Sequence, residues 1–290
     1  MHVSVDQILH MAYSYPINWV YFLLAYFLVE KKVVIYAGGI MNQHIHASAR
    51  VGENVKLGFN TVIMEDVQIG ANCLIGHNVV IHAGTIIGES VRIDDNVIIG
   101  KKPLSSPRSI FKVPDNLLPA KIGSYCQIGA NVVIYVQCEI GERNLIADLA
   151  TVRENVKIGS LNIIGRNVTI ENYVEIGDRN KFETNSYITA YSRVEDYCFV
   201  APCVATSNDN YMARDKERFN HFRGVTLKRG ARIGAHATIL PGKTIATDGT
   251  VAAGAVVTRD VKEAIIVLGN PAREFRDVPE AQLLMNNLDK

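Results

Sequence analysis

The residues best suited to do chemistry stand in register, 18 positions apart. Arg153-Glu154 is followed by Glu171-Asn172, then Thr189-Ala190, then Ser207-Asn208. A carboxylate such as Glu154 accepts a hydrogen bond or a proton, and a carboxamide such as Asn172 both donates and accepts. The set lacks glycine and runs into a polar segment, Asp209-Asn210-Tyr211 and onward to His221. That continuity favours a substrate-binding column over a merely solvated ladder of corners. The eight histidines and five cysteines show no metal-ligand spacing, so no metal is expected.

What must position such a column is a repeat. An isoleucine, valine or leucine recurs every sixth residue: Ile45, Val51, Leu57 and on to Ile99, then Ile122 to Val200, then Leu227 to Val257. A fixed six-residue period signals a stacked β-solenoid. Each hexapeptide reads as a short strand and a corner, with the apolar residue pointing inward and a second, small or β-branched residue two positions before it. Three hexapeptides close a triangular turn, so residues 18 apart stack at about 4.8 Å. Gly123, Gly141, Gly159 and Gly177 form a plain structural corner. Two interruptions break the phase, and the segments 101–121 and 205–226 are read as loops thrown outside the prism. Long excursions from a regular scaffold are characteristically functional.

The chain of 290 residues carries a formal charge of +1, which gives no field for nucleic acid or an anionic membrane. Cys73, Cys126, Cys138 and Cys198 fall on inward small positions, as buried thiols of a reducing cytoplasm would. Residues 16–29 are strongly apolar but shorter than a spanning helix needs. They read as a packing or capping element, and membrane contact is not expected. Val33 to Tyr36 reads as a short strand. The organisation expected is an extension over 1–44, the β-helix over 45–262, and a terminal segment over 263–290 with a short helix from Pro279 to Leu288. The fold class is therefore all-β, a parallel β-helix with external loops and short helical caps at both ends.

Four segments sharpen this into a resemblance: Ile146-Ala-Asp-Leu-Ala-Thr-Val-Arg-Glu154, Thr184-Asn-Ser-Tyr-Ile-Thr-Ala190, Ala201 to Tyr211, and Gly254 to Val261 followed by Gly269-Asn-Pro-Ala-Arg273. With the repeat, they resemble the hexapeptide acyltransferase superfamily, in particular N-acetyltransferases of nucleotide-linked 3-amino-3,6-dideoxyhexoses. The resemblance covers about residues 45–273. It implies a left-handed coil, a homotrimer with active sites in the grooves between protomers, and acetyl-CoA as donor. The acceptor implied is a dTDP- or UDP-linked amino sugar, used in surface polysaccharide assembly. The first 44 residues go beyond the family pattern and leave a different substrate or an added partner open.

Under that resemblance the acceptor amine attacks a thioester carbonyl. An uncharged amine held in line needs no full general base. Glu154 would accept a hydrogen bond from the amine, Asn172 would orient it, and a corner N–H or Asn208 would face the oxyanion. Arg153, Glu171, Asn185, Ser186, Tyr187, Asp209, Asn210, Tyr211 and His221 are the substrate-binding candidates. Small corners at Ala235, Ala253 and Gly254 would admit pantetheine. Lys243, Arg259, Lys262 and Arg273 suit its phosphates, and Asn270-Pro271 would turn the chain near the adenine. Related O-acetyltransferases place a histidine where the second loop departs. This chain has Thr206-Ser-Asn-Asp-Asn210 there, which argues against hydroxyl acylation. His77 supports, as an alternative, a carrier-protein-dependent acyltransferase of the lipid A type. A non-catalytic scaffold is the third reading.

Overall fold

A computed structural model describes residues 35–36, 39–40, 43–107, 113 and 116–288. The apolar stretch 16–29 and any N-terminal helical cap lie outside the described residues. Within them the chain is a parallel β-helix. Successive two-residue strands pass to successive faces, and every third strand pairs in parallel with the one before it. The three sheets contain 10, 12 and 11 strands. The first face holds Arg50–Val51 through Thr244–Ile245, the second Lys56–Leu57 through Thr250–Val251 and a terminal hairpin, the third His44–Ile45 through Val256–Val257. The register is 18 residues, as in Glu139↔Lys157 and Ile140↔Ile158.

One inward residue per strand builds the core. Ile63, Ile81, Ile134, Ile146, Ile164 and Ile170 are fully buried, as are Val67, Val79, Val132 and Val156 at the second inward position. Each fully buried aliphatic side chain contributes about 1.5–3 kcal/mol of transfer free energy. Corners turn through a left-handed residue, and asparagine supplies many of them: Asn60, Asn78, Asn96, Asn131, Asn167 and Asn185 have φ from 54° to 62°. This edge, between the second and third faces, is called the asparagine edge. The edge from first to second face is the glycine edge. At Gly159 a Cβ would lie 2.7 Å from the Gly177 carbonyl oxygen, so only glycine lets neighbouring coils approach there.

One polar column runs inside the prism. Asn144, Asn162 and Asn180 are about 1% exposed and sit 18 residues apart. Asn144 Oδ1 accepts the Asn162 N–H at 2.8 Å, Asn162 Oδ1 accepts the Asn180 N–H at 2.8 Å, and Asn180 Oδ1 accepts the Cys198 N–H at 2.7 Å. The buried thiols behave alike: Cys126 donates to Gly141 O at 3.1 Å and Cys138 to Arg153 O at 2.9 Å. Burial pushes the Cys138 and Cys198 thiols up to about 12.

Both loops leave from the third edge, between the third and first faces. The chain departs after Lys101 and returns at Lys121, then departs after Thr206 and returns at Thr226. Ile87 still pairs with Ile122 and Val194 with Leu227, so the ladder continues past each excursion.

The C-terminal segment differs from the helix expected of it. Ile265–Leu268 and Arg273–Asp277 form an antiparallel hairpin on the second face. Its outer strand is fully exposed and charged, which protects an open edge. Beyond it, among the described residues, come two single 3-10 turns, Glu280–Gln282 and Leu284–Asn286. Leu283 is extended between them, and the Asn286 and Asn287 side-chain amides take the carbonyls of Glu280, Ala281 and Leu283 that a helix would have used.

Candidate functional site

The third edge, the site edge, carries a continuous polar cluster between the two loop roots. Residues 135, 153, 171 and 189 occupy the same place in successive coils. Arg153 grips Glu154 with a fork, Nε to Oε2 at 2.9 Å and Nη2 to Oε1 at 3.0 Å, and reaches Glu171 Oε2 at 3.4 Å. The Glu154 side chain is only 12% exposed, so its carboxylate is held in a fixed direction rather than left to swing. The Arg153 guanidinium lies 5.0 Å from the centre of the Tyr135 ring, and Lys101 Nζ lies 4.6 Å from it.

The cluster continues along the third face. Burial, then the charge of Glu171 and a hydrogen bond to it, pushes the Tyr187 hydroxyl up to about 12. Asn172 is 6% exposed, and its side-chain amide makes no hydrogen bond among the described residues. Tyr173 N–H donates to Glu154 O at 3.3 Å and Tyr191 N–H to Asn172 O at 3.2 Å, which puts Glu154 and Asn172 at equivalent points of adjacent coils. Half-buried His82 occupies the same edge below Lys101. Burial, with Lys101 and Lys102 close by, lowers its pKa.

Other sequence candidates are placed differently. Ser186 is a correction: it points into the prism, is 1% exposed and has an unpartnered hydroxyl, so it reaches no ligand. Asn185 stands on the asparagine edge, where it accepts from Asn167 Nδ2 at 2.8 Å. Asn208 closes the root of the second loop by accepting the Arg223 N–H at 3.1 Å. Asp209 shapes that loop. Its oxygens accept Tyr211 N–H at 2.8 Å and Ala213 N–H at 3.1 Å, and Arg218 lies 3.5 Å away. Asn210 is exposed, while Tyr211 stacks on His221 at 5.8 Å and His221 sits 3.8 Å from Glu217.

The donor candidates do not converge within one protomer. Ala235, Ala253 and Gly254 lie on the asparagine edge, with open space beside Gly254. Lys243 and Arg259 lie on the site edge, and Lys262 on the glycine edge pairs with Glu274 at 2.7 Å. Arg273 and Asn270-Pro271 belong to the terminal hairpin, whose turn contains a cis Asn270-Pro271 bond. His77 Nδ1 accepts the Phe59 N–H at 2.8 Å, and its ring stacks on Phe59 at 5.1 Å.

Sequence reasoning missed Tyr135 and Lys101. Stepping one further coil back from Arg153 reaches Tyr135, and Lys101 is the last residue before the first loop.

Comparison with known proteins places these features. Residues 48–83 match the model described as bacterial transferase hexapeptide (six repeats), and residues 66–101 match the hexapeptide repeat of succinyl-transferase. A putative acetyltransferase of Saccharomyces cerevisiae is 30% identical over 95 residues, 32% of this chain and 48% of that protein. The dTDP-3-amino-3,6-dideoxy-alpha-D-galactopyranose 3-N-acetyltransferase of Aneurinibacillus thermoaerophilus is 44% identical over 52 residues, 18% of this chain and 27% of that enzyme. The chain thus spans about half of the one relative and about a quarter of the other. Among solved structures, an Arabidopsis UDP-N-acetylglucosamine acyltransferase superposes with a TM-score of 0.54 at 20% identity, over 81% of this chain and 73% of that one, which is a likeness of fold. The six-residue repeat that those models describe over residues 48–101 continues coil after coil through the described prism.

Proposed function

We propose that this chain is an acyltransferase that moves an acetyl group from acetyl-CoA to the amine of a nucleotide-linked amino-deoxy sugar. The observation that carries the reading is the site edge. It combines a carboxylate fixed by Arg153, a carboxamide at Asn172 with no side-chain hydrogen bond among the described residues, and a loop root without histidine. The names of the two relatives, both acetyltransferases and one acting on a nucleotide-linked 3-amino sugar, support the class.

In this reading the amine nitrogen attacks the thioester carbonyl carbon, the C–S bond breaks, and the departing thiolate takes up a proton as the amide forms. Glu154 accepts a hydrogen bond from the amine and sets its direction of approach. Asn172 orients the acceptor, and Asn208 or a corner N–H faces the oxyanion. A carboxylate gripped by an arginine fork is a poor mobile base but a good fixed acceptor, which suits a nucleophile that needs only alignment. The donor set spread over three edges suits a homotrimer, in which residues of two protomers meet in one groove.

The test is a thiol-release assay with acetyl-CoA and a panel of dTDP- and UDP-linked amino sugars. Release with at least one of them, lost in Glu154→Gln, is the expected result. No release across the panel overturns the proposal.

A further inference from the structure

On the first face, just around the site edge from Glu154, lies a groove of about 460 Å³ that the reaction above does not use. Tyr173, Asn155, Gln137 and Lys157 line it, and Leu118 and Pro119 from the end of the first loop wall it. Tyr191 stacks on Tyr173 with ring centres 5.4 Å apart and planes 4° from parallel, so the Tyr173 ring is backed and held flat. The side-chain amides of Gln137 and Asn155 make no hydrogen bond among the described residues. Lys121, Glu139 and Glu175 also line the groove, and their charges are satisfied in pairs, Lys121 with Glu139 at 3.1 Å and Glu175 with Arg193 at 2.6 Å. Lys157, between those pairs on the same face, has no ion-pair partner among the described residues.

We infer that this groove binds the base and phosphate of a nucleotide. A flat, backed aromatic ring is a stacking platform for a heterocycle. Two free carboxamides match the donor and acceptor edge of a base. An unpaired ammonium suits a phosphate beside it. The volume lies within the usual range of ligand pockets. Asn155 follows Glu154 and Tyr173 follows Asn172, so a nucleotide seated here would place its attached group at the site edge. The inference deepens the proposed function and rests on it for the identity of that attached group. Nucleotide binding itself stands apart.

The experiment is equilibrium binding of UMP, dTMP, AMP and uridine to the full chain, followed by saturation-transfer NMR. At least one mononucleotide is expected to bind. Tyr173→Ala should weaken binding about tenfold or more, while Tyr173→Phe retains it. Lys157→Met should abolish the preference for UMP over uridine, a readout that a purely structural lysine would not move. Preference for UMP or dTMP assigns the groove to the acceptor, and preference for AMP assigns it to the donor. Absence of binding by all four, or binding unchanged in both Tyr173→Ala and Lys157→Met, overturns the inference. Turnover that persists without mononucleotide binding would sink the groove alone. Binding without any thiol release would sink the proposed reaction alone.

Discussion

Replacing Arg153 by methionine tests whether the site edge is an organised electrostatic device. The side chain makes two short contacts to Glu154, at 2.9 and 3.0 Å, and a longer one to Glu171 at 3.4 Å. Its loss leaves the Glu154 carboxylate, 12% exposed, without its counter-ion. Breaking a fully buried pair costs about 3–5 kcal/mol. Arg153 itself is 30% exposed, so water recovers part of that, and about 2–3 kcal/mol of destabilisation is expected. Glu154→Gln in the Arg153→Met background removes the stranded charge and should restore about 1–2 kcal/mol. The assay is urea denaturation of the wild type, both single variants and the double variant, read as a cycle. A coupling below about 0.5 kcal/mol would show that the fork contributes nothing beyond a surface ion pair, and would refute the fixed-carboxylate argument. Arg153→Lys sharpens the test, since it keeps the charge and loses the fork.

Four further outcomes are expected. Of the five cysteines, only half-buried Cys203 should react quickly with a thiol reagent at pH 8, because the other four are buried and their pKa values are raised; fast labelling of Cys138 or Cys198 would contradict this. Tyr187 has a folded pKa raised to about 12, so its contribution to stability is complete below about pH 10 and is lost as pH rises through 12. A Tyr187→Phe variant should lack the last-titrating component in an absorbance titration of the folded protein. Gly159→Ala forces a Cβ against the Gly177 backbone and should destabilise by about 1–3 kcal/mol in urea denaturation, whereas Gly254→Ala, with open space around it, should suffer only its backbone strain. Asn162→Leu strands the buried Asn180 N–H and the Gly177 carbonyl and should cost about 2–4 kcal/mol by the same measurement.

The β-helix was legible because one variable, position within a six-residue period, decides whether a side chain points inward. Ile146, Ile164 and Phe182 obey it, and they are fully buried. The same rule hid the interior column at Asn144, Asn162 and Asn180: a polar residue at an inward position looks like an exception until its 18-residue recurrence shows each amide feeding the next coil. In the candidate column, the adjacency of Glu154 and Asn172 was legible, since stacking alone makes them neighbours. Ser186 was misplaced because, two residues before the inward Ile188, it also points inward. The candidates for a donor site scattered for a related reason. Corners one hexapeptide apart, such as those at Ala253 and Arg259, are close in sequence but occupy different vertices of the triangle. The terminal helix failed on local chemistry, where asparagine amides competed for the carbonyls.

Both excursions exit and re-enter at a single vertex while the strand pairing beneath them goes on uninterrupted. Each therefore behaves as a replaceable cassette: its length and composition can change without a new register having to be found for the spine. Exchanging the exposed 209–222 segment, while keeping the buried Val225 that re-enters the core, should leave the unfolding midpoint nearly unchanged, so the architecture separates change in its loops from the maintenance of the fold.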